Sequence, residues 1–455
     1  MRPLPLMTAL RHLVSIDDLS LAEVRELFTR ADDFAADPRG FSHLCRGMIS
    51  ASIFYEASTR TRLSFESAML RLGGGVLTAA EMRTSSASKG ESLADTVRVV
   101  GGGYADVIVL RHTSEGAARL AAQFATVPVI NAGDGSHEHP TQTLCDLYNL
   151  HVERGRIEGL DVVLAGDLKY SRTVHSFSYA LARFGANIVC VPQAGFEMPD
   201  YVLQRLRDEF GVEPVRADTR RLGSLAASSD AVYLTPQKPH QLSLFTDARG
   251  WDVQHVDAVY ITRPQTERYT DEEDAGSYMR LEKDAMAEES LRDAVLMHPL
   301  PRRDEISGDI DGDPRSIYFK QAARGVPIRM AILERLLIGT EAVEPATTAA
   351  RRGYPVPMGP NPCPNLECIS RTEPRHVRPM FTLLARSPVR ANCAYCDREM
   401  SFQLVGCDST RECHDRSSTA LRKLRAEEMV FIRDQERAKL LGFTLAEDRL
   451  ETAGS

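Results

Sequence analysis

Ser58-Thr59-Arg60-Thr61-Arg62 places three hydroxyls and two guanidiniums in five consecutive positions, between an apolar run (Ile49 to Tyr55) and an amphipathic stretch. That stretch has Leu63, Phe65, Ala68, Met69 and Leu72 as its buried candidates. A strand that turns directly into a helix leaves backbone N–H groups and the positive end of the helix dipole pointing outward. Hydroxyls and a guanidinium added there make an anion site, best suited to phosphate. Taken alone, such a run is also a Ser/Thr helix cap followed by solvated arginines. His139 is similarly two-sided, because a histidine before Pro140 is by itself a helix-start residue.

A second chemistry lies near the C-terminus. Cys363-x4-Cys368 and Cys393-x2-Cys396 form two thiolate pairs of the kind that close a tetrahedral zinc site. Four Cys ligands with no open position make a structural metal rather than a catalytic one. Cys407, Cys413 and His414 follow closely and are read as spare. The chain has nine cysteines, an odd number that suits a metal site in a reducing compartment better than a disulfide framework.

The elements that must position these residues read as α/β. Ser20 with Glu23 makes a capping box, with Leu21, Val24, Leu27 and Phe28 on one helix face. Strands are expected from Ile49, over 105–110 ending at Arg111, and over 127–131, and Pro140 takes the first helical position. A second unit begins near Leu160, with strands over 161–165 and 186–191. Strands alternating with helices imply two doubly wound parallel-sheet lobes, with functional residues at the carboxyl ends of strands facing a cleft. Asp230 to Gln237 and Asp257 to Gln265 are near-copies, and the stretch Pro236 to Val256 between them reads as a surface insertion. The segment Glu341 to Pro362, rich in Pro, Ala, Thr and Gly, reads as a linker. From Arg416 the chain is charged with scattered apolar positions (Leu421, Leu424, Ile432, Leu440, Leu441), which predicts a helical tail.

At 455 residues the chain is too long for one core. A net charge of -8 argues against a general nucleic-acid binder. Arg371, Arg375, Arg378, Arg386 and Arg390 lend a nucleic-acid reading slight support, and a docking face is the plainer one. No apolar run reaches the roughly 18 residues of a membrane helix, and no leader peptide is evident, so the expected place is the cytoplasm, with no membrane partner.

Phe54 to Glu66, around the Ser-Thr-Arg-Thr-Arg run, resembles the carbamoyl-phosphate signature of the aspartate and ornithine carbamoyltransferases. The resemblance continues in order. Ser85 and Lys89 to Thr96 look like the family's mobile lysine loop, and Arg111-His112 ends a strand as in the family. His139-Pro140-Thr141-Gln142 resembles its carbonyl-binding helix start. Gly166 to Thr173 and Thr262 to Gln265 look like the aspartate-side motifs, and His298-Pro299-Leu300-Pro301 resembles the closing loop. Pro299, where ornithine-specific relatives carry Cys, and the donors Arg172, Arg263 and Gln265 indicate the aspartate branch, since that arginine pair suits a dicarboxylate and repels a cationic amine. The sequences around the two Cys pairs resemble the zinc domain of the regulatory chain that accompanies this enzyme.

The resemblance implies transfer of a carbamoyl group from carbamoyl phosphate to L-aspartate, a step of de novo pyrimidine biosynthesis, with no cofactor for catalysis. Ser58, Thr59, Arg60, Thr61 and Arg111 would bind phosphate, and Thr61, Arg111 and His139 would hold the carbonyl oxygen. Gln142 would meet the carbamoyl NH2, and Arg172, Arg263 and Gln265 the aspartate carboxylates. The backbone at Pro299-Leu300 would orient the amine, and Glu56 would pair with Arg172 and Arg268 in domain closure. Lys89, with Ser85, would reach in from a neighbouring subunit, making a homotrimer the minimal active unit and leaving room for a larger assembly through the zinc domain. Implied boundaries are a carbamoyl-phosphate domain over 1–145, an aspartate domain over 146–305 and a returning helix over 306–340. A linker over 341–360, a small zinc-ribbon-like β domain over 361–413 and the helical tail over 414–455 complete the chain.

Overall fold

The computed structural model describes residues 11–80, 82, 90–226, 228–235, 257–263, 281–287, 291–339, 353–355 and 363–446. The first lobe runs α1 (Leu21–Ala36), β1 (Ile49–Phe54), α2 (Thr59–Arg71), β2 (Gly75–Ala79), α3 (Leu93–Gly101), β3 (Val107–His112), α4 (Ala117–Phe124), β4 (Val129–Asp134) and α5 (Pro140–Arg154). The capping box of α1 forms as expected, Ser20 accepting from the Glu23 N–H and Glu23 from the Ser20 N–H. The strands make a four-stranded parallel sheet in the order β2-β1-β3-β4. The order reverses direction between β1 and β3, so the crevice at their carboxyl ends is the place for a ligand. That crevice holds the Ser58 segment and Arg111.

The second lobe runs β5 (Asp161–Gly166), α6 (Arg172–Arg183), β6 (Asn187–Pro192), α7 (Asp200–Phe210), β7 (Val215–Arg216), α8 (Leu222–Ala226), β8 (Ala231–Thr235), β9 (Ala258–Ile261) and β10 (Val295–Met297). Its six-stranded sheet has the order β10-β9-β8-β5-β6-β7, every pairing parallel. The near-copies in the sequence are β8 and β9 themselves, neighbours in register with Ala231 opposite Ala258. Tyr233 and Tyr260 stack with ring centroids 4.2 Å apart. The repeat is therefore buried sheet, and the stretch read as an insertion joins two parallel neighbours. Most of that stretch, 236–256, lies outside the described residues. Gly166 ends β5 at φ 95, and a Cβ there would stand 1.9 Å from the Thr235 carbonyl oxygen, so only glycine lets β8 approach this closely.

Helix α9 (Tyr318–Ile338) returns to the first lobe and packs on α1, α2 and α5. Arg30 of α1 holds Glu334 of α9 at 2.7 Å. The remaining chain gives β11 (Gly353–Pro355), α10 (Ile369–Thr372), β12 (Met380–Arg386), β13 (Val389–Cys393), β14 (Leu404–Cys407), β15 (Glu412–Asp415), β16 (Met429–Ile432), α11 (Gln435–Leu440) and β17 (Thr444–Leu445). Part of the expected linker is strand, since β11 pairs antiparallel with β12 at the edge of a β11-β12-β13 sheet. The segment from 414, expected as helical, does carry α11 and helical turns over Thr419–Lys423 and Ala426–Glu428. Strands organise it nonetheless, in a second small sheet of order β16-β14-β15-β17. Leu421 and Ile432 of that segment are core residues there, packed with Phe431 and Val430 respectively.

Candidate active site and metal centre

A cleft of about 560 Å³ opens between the two sheets. It is lined from the first lobe by Glu56, Ser58, Thr59, Arg60, Thr61, Arg111, His139 and Gln142, and from the second by Arg172, Arg263, Pro299 and Leu300. Twelve residues singled out by type and motif therefore converge on one space. Lys89, Ser85, Gln265 and Arg268 fall outside the described residues.

Ser58 occupies the N-cap of α2, yet its hydroxyl makes no capping bond. The hydroxyl therefore does not serve as a cap, and the first-turn N–H groups open toward the cleft, an arrangement that can take an anion. Arg111, buried at the end of β3, donates to the Ala132 carbonyl at 3.1 Å and to Glu56 at 2.5 Å. Arg172, at the first position of α6, donates to the same carboxylate at 3.2 Å and to the Gly135 carbonyl at 2.7 Å. Glu56 thereby ties a first-lobe arginine to a second-lobe one. His139 is 4% exposed, and its backbone N–H donates to Ser176 of α6 at 3.1 Å, a second tie between lobes. Burial, then Arg172, Arg111 and Arg329, push the imidazole well below the usual histidine range. It is neutral at physiological pH, so it can polarise a carbonyl as an N–H donor without carrying charge.

Among the described residues, five arginines line the cleft (Arg60, Arg111, Arg172, Arg263, Arg329) against one carboxylate, Glu56. Burial and the facing Arg263 lower the Arg60 pKa, as expected of guanidiniums gathered for an anion. Sequence pattern did not single out Arg329. It donates to the Gly325 carbonyl at 2.9 Å and lies over the Phe65 ring at 5.1 Å. Its signal was a single charge inside the apolar run Ile328 to Leu333. On β8, the Thr235 hydroxyl donates within the sheet, 2.9 Å from the carbonyls of Ala165 and Asp167, while β9 leads Arg263 into the cleft. Leu300 stands at φ 52, strained backbone for a leucine, and its N–H donates to His298 Nδ1 at 2.7 Å. His298 Nε2 faces Glu305 at 2.8 Å, which fixes the loop.

The four predicted thiols gather with every pair of sulfurs within 4.8 Å. Cys363–Cys396 is 3.5 Å and Cys368–Cys393 is 3.7 Å. Zn–S bonds of about 2.3 Å in a tetrahedron place sulfurs roughly 3.8 Å apart, so the set fits a closed S4 site. Cys407 and Cys413 stand apart on β14 and β15.

This module is docked on both lobes. Its cysteines and Tyr395 share one apolar core with Leu93, Val97, Ile108 and Leu120 of the first lobe. Glu115 exchanges backbone bonds of 2.9 Å with Glu367 and Ile369, and its side chain accepts from Asn365 at 2.7 Å. Gly116, at φ 81, is where a Cβ would meet the Tyr395 backbone at 2.5 Å. On the second lobe, Arg390 donates to Asp208 at 3.0 Å and Arg398 lies over Tyr201 at 4.5 Å. Arg386 donates to the Leu424 carbonyl at 2.6 Å, so Arg386 and Arg390 serve packing and docking. Between the lobes, Asp397 accepts from Arg119 at 2.7 Å and faces His137 Nε2 at 3.1 Å. The other His137 nitrogen faces Asp134 at 3.2 Å.

Comparison with known proteins agrees with this geometry. Residues 11–152 match the aspartate/ornithine carbamoyltransferase carbamoyl-P binding domain, and 234–336 the Asp/Orn binding domain of that family. Residues 362–405 match the metal binding domain of the aspartate carbamoyltransferase regulatory chain. The aspartate carbamoyltransferase catalytic subunit of Thermoplasma acidophilum is 42% identical over 333 residues, 72% of this chain and 98% of that protein. The chain belongs to the aspartate carbamoyltransferase family. The Clostridium kluyveri catalytic subunit is 41% identical over 334 residues, with 72% and 98% covered. The solved catalytic subunit of M. jannaschii aspartate transcarbamoylase superposes with a TM-score of 0.58 at 40% identity, covering 73% of this chain and all of that one. The Trypanosoma cruzi enzyme, solved with N-(phosphonacetyl)-L-aspartic acid, gives 0.58 at 33% identity, with 73% and 98% covered. Membership makes the chain a carbamoyltransferase carrying a metal-binding domain. No helix among the described residues is long and apolar enough to cross a membrane.

Proposed function

We propose that the cleft joins carbamoyl phosphate to L-aspartate, with the residues named above in the roles their placement suits. The phosphate sits at the start of α2 against Ser58, Thr59, Arg60, Thr61 and Arg111. The carbonyl oxygen lies toward Thr61, Arg111 and His139, and the carbamoyl NH2 toward Gln142. Arg172 and Arg263, with Gln265, take the aspartate carboxylates, and the Pro299-Leu300 backbone orients the amine. The neutral amine attacks the carbamoyl carbon, negative charge develops on the carbonyl oxygen, and the bond to phosphate breaks. The departing phosphate takes the amine proton, since Glu56 is held by arginines and His139 is too weak a base. Catalysis then rests on placing two anions and stabilising the oxyanion, with no nucleophilic side chain.

The observation that carries this reading is the five-arginine cleft closed from both lobes through Glu56. Lys89 and Ser85 complete the site from a neighbouring subunit, making a homotrimer the active unit. Zinc fills the four-thiolate site as a structural ion, which suits a reducing cytoplasm. By spanning both lobes the zinc module braces the catalytic unit in cis. The stretch between α9 and Cys363 is too short for an effector domain of roughly 50 residues. The test is carbamoyl-aspartate formation by the purified enzyme, with L-ornithine in parallel and CTP in one set. Turnover with aspartate alone and no CTP effect supports the whole reading. Turnover with ornithine, or none from a folded metal-loaded protein, overturns the substrate assignment. A CTP effect on aspartate saturation overturns the view that no effector domain stands before the zinc module.

A further inference from the structure

We propose that Asp146 is a positioning residue that holds the Gln142 amide with its oxygen toward the cleft, and so selects an acyl-phosphate donor bearing N–H over one bearing a methyl. The inference rests on the reading that Gln142 meets the carbamoyl NH2. Gln142 lines the cleft on α5, and Asp146 lies one turn further along the same helix, 1% exposed. Asp146 Oδ1 accepts from Gln142 Nε2 at 2.8 Å, from the Tyr260 hydroxyl at 3.0 Å and from Gln321 Nε2 at 3.1 Å.

An amide end is assigned by its neighbours, and here a backbone donor anchors the assignment. The His298 N–H can only donate, and it donates to Gln321 Oε1 at 2.9 Å. That leaves Gln321 Nε2 to face Asp146, so Asp146 Oδ1 is an acceptor. Gln142 must therefore present Nε2 to Asp146, and its oxygen is the end left for the cleft. A carbamoyl NH2 can donate to that oxygen, whereas a methyl in its place leaves the oxygen unpaired. The chain of bonds also runs from the closing loop at His298 to the carbamoyl side of the cleft, with Tyr260 of β9 as a third support.

Oδ2 of Asp146 is buried without a partner among the described residues. Burial pushes this carboxyl up to about 7. With three donors on Oδ1, the proton belongs on Oδ2, and the acceptor facing Gln142 is the same in both forms. An asparagine that keeps its oxygen at the Oδ1 position preserves the arrangement, because turning it over would set an NH2 against three donors. Acceptor geometry, not charge, is what the position supplies.

The experiment measures dissociation constants of carbamoyl phosphate and acetyl phosphate for the whole enzyme without aspartate. Wild type, Gln142→Ala, Asp146→Leu and Asp146→Asn are compared. The wild type favours carbamoyl phosphate, and Gln142→Ala loses that preference. Asp146→Leu lowers it by about tenfold or more, and Asp146→Asn keeps it within about threefold. If Asp146→Leu does not fold, Asp146→Ala takes its place. Asp146→Leu keeping the preference that Gln142→Ala loses would overturn the inference, as would Asp146→Asn losing it as fully as Asp146→Leu. An unchanged preference in Gln142→Ala, or none in the wild type, would instead overturn the Gln142 reading on which it rests.

Discussion

Replacing Asp397 by alanine removes one carboxylate from the point where the zinc module meets both lobes. Asp397 is 3% exposed and takes Arg119 at 2.7 Å and His137 at 3.1 Å, with Arg205 of α7 at 4.0 Å. Breaking a buried charge pair by removing one partner costs about 3–5 kcal/mol, because the remaining charge stays buried. Two charge-assisted hydrogen bonds at roughly 1.5–3 kcal/mol each give about 3–6 kcal/mol, which overlaps that range. The loss falls on the segment from Asp134 to His139. Asp134 holds it from within, accepting from the Gly116 N–H at 2.8 Å and the Glu138 N–H at 3.1 Å, and Asp397 holds it from outside. Hydrogen exchange over 134–139 should accelerate by about a hundredfold to a few thousandfold, the equivalent of 3–5 kcal/mol. The same segment carries the Gly135 carbonyl that holds Arg172, and His139 itself. Displacement of such groups by about 1 Å costs on the order of a hundredfold, so kcat should fall while the thiols stay metal-loaded. Unchanged exchange over 134–139, or a loss below about 1 kcal/mol with full kcat, would refute the bracing argument.

Gly116→Val should mimic this from the other side, wedging Tyr395 away and reducing both stability and kcat; a fully active, equally stable variant would show that the module docks elsewhere. His139 is held below the ordinary histidine pKa, so it adds no ionisation to the kcat profile near pH 6.5, and isotope-edited NMR should find it neutral at pH 6. The sign for stability follows: the unfolded histidine takes up a proton below about 6.5 and the folded one does not, so its contribution is lost as pH falls below that value. Removing the metal with a chelator should release four thiols to titration and loosen exchange in α3 and α4, whose apolar faces share the module's core; release of thiols with unchanged protection there would separate the metal from docking.

Much of the site is legible in the sequence because its signals are local. A strand that turns into a helix exposes donors at the junction, so the run from Ser58 could be placed at the cleft, and Arg111 and Arg172 sit at strand and helix ends for the same reason. Cysteine spacing identified the four thiols because ligands close in sequence are close in space. What the tertiary structure decided is of another kind. Asp146 and Arg329 were singled out by no motif, and only packing brings Asp146 to Gln142, Tyr260 and Gln321, or sets Arg329 in the cleft. The near-copied strands read only as a repeat, because repetition says nothing about pairing; register made them neighbours in a buried sheet. The segment from 414 read as helix because its sparse apolar residues fit a helical period. Short strands such as β16 have no such period of their own and exist only through pairing with β14. The docking of the zinc module across both lobes likewise depends on contacts between residues hundreds of positions apart, which no local pattern encodes.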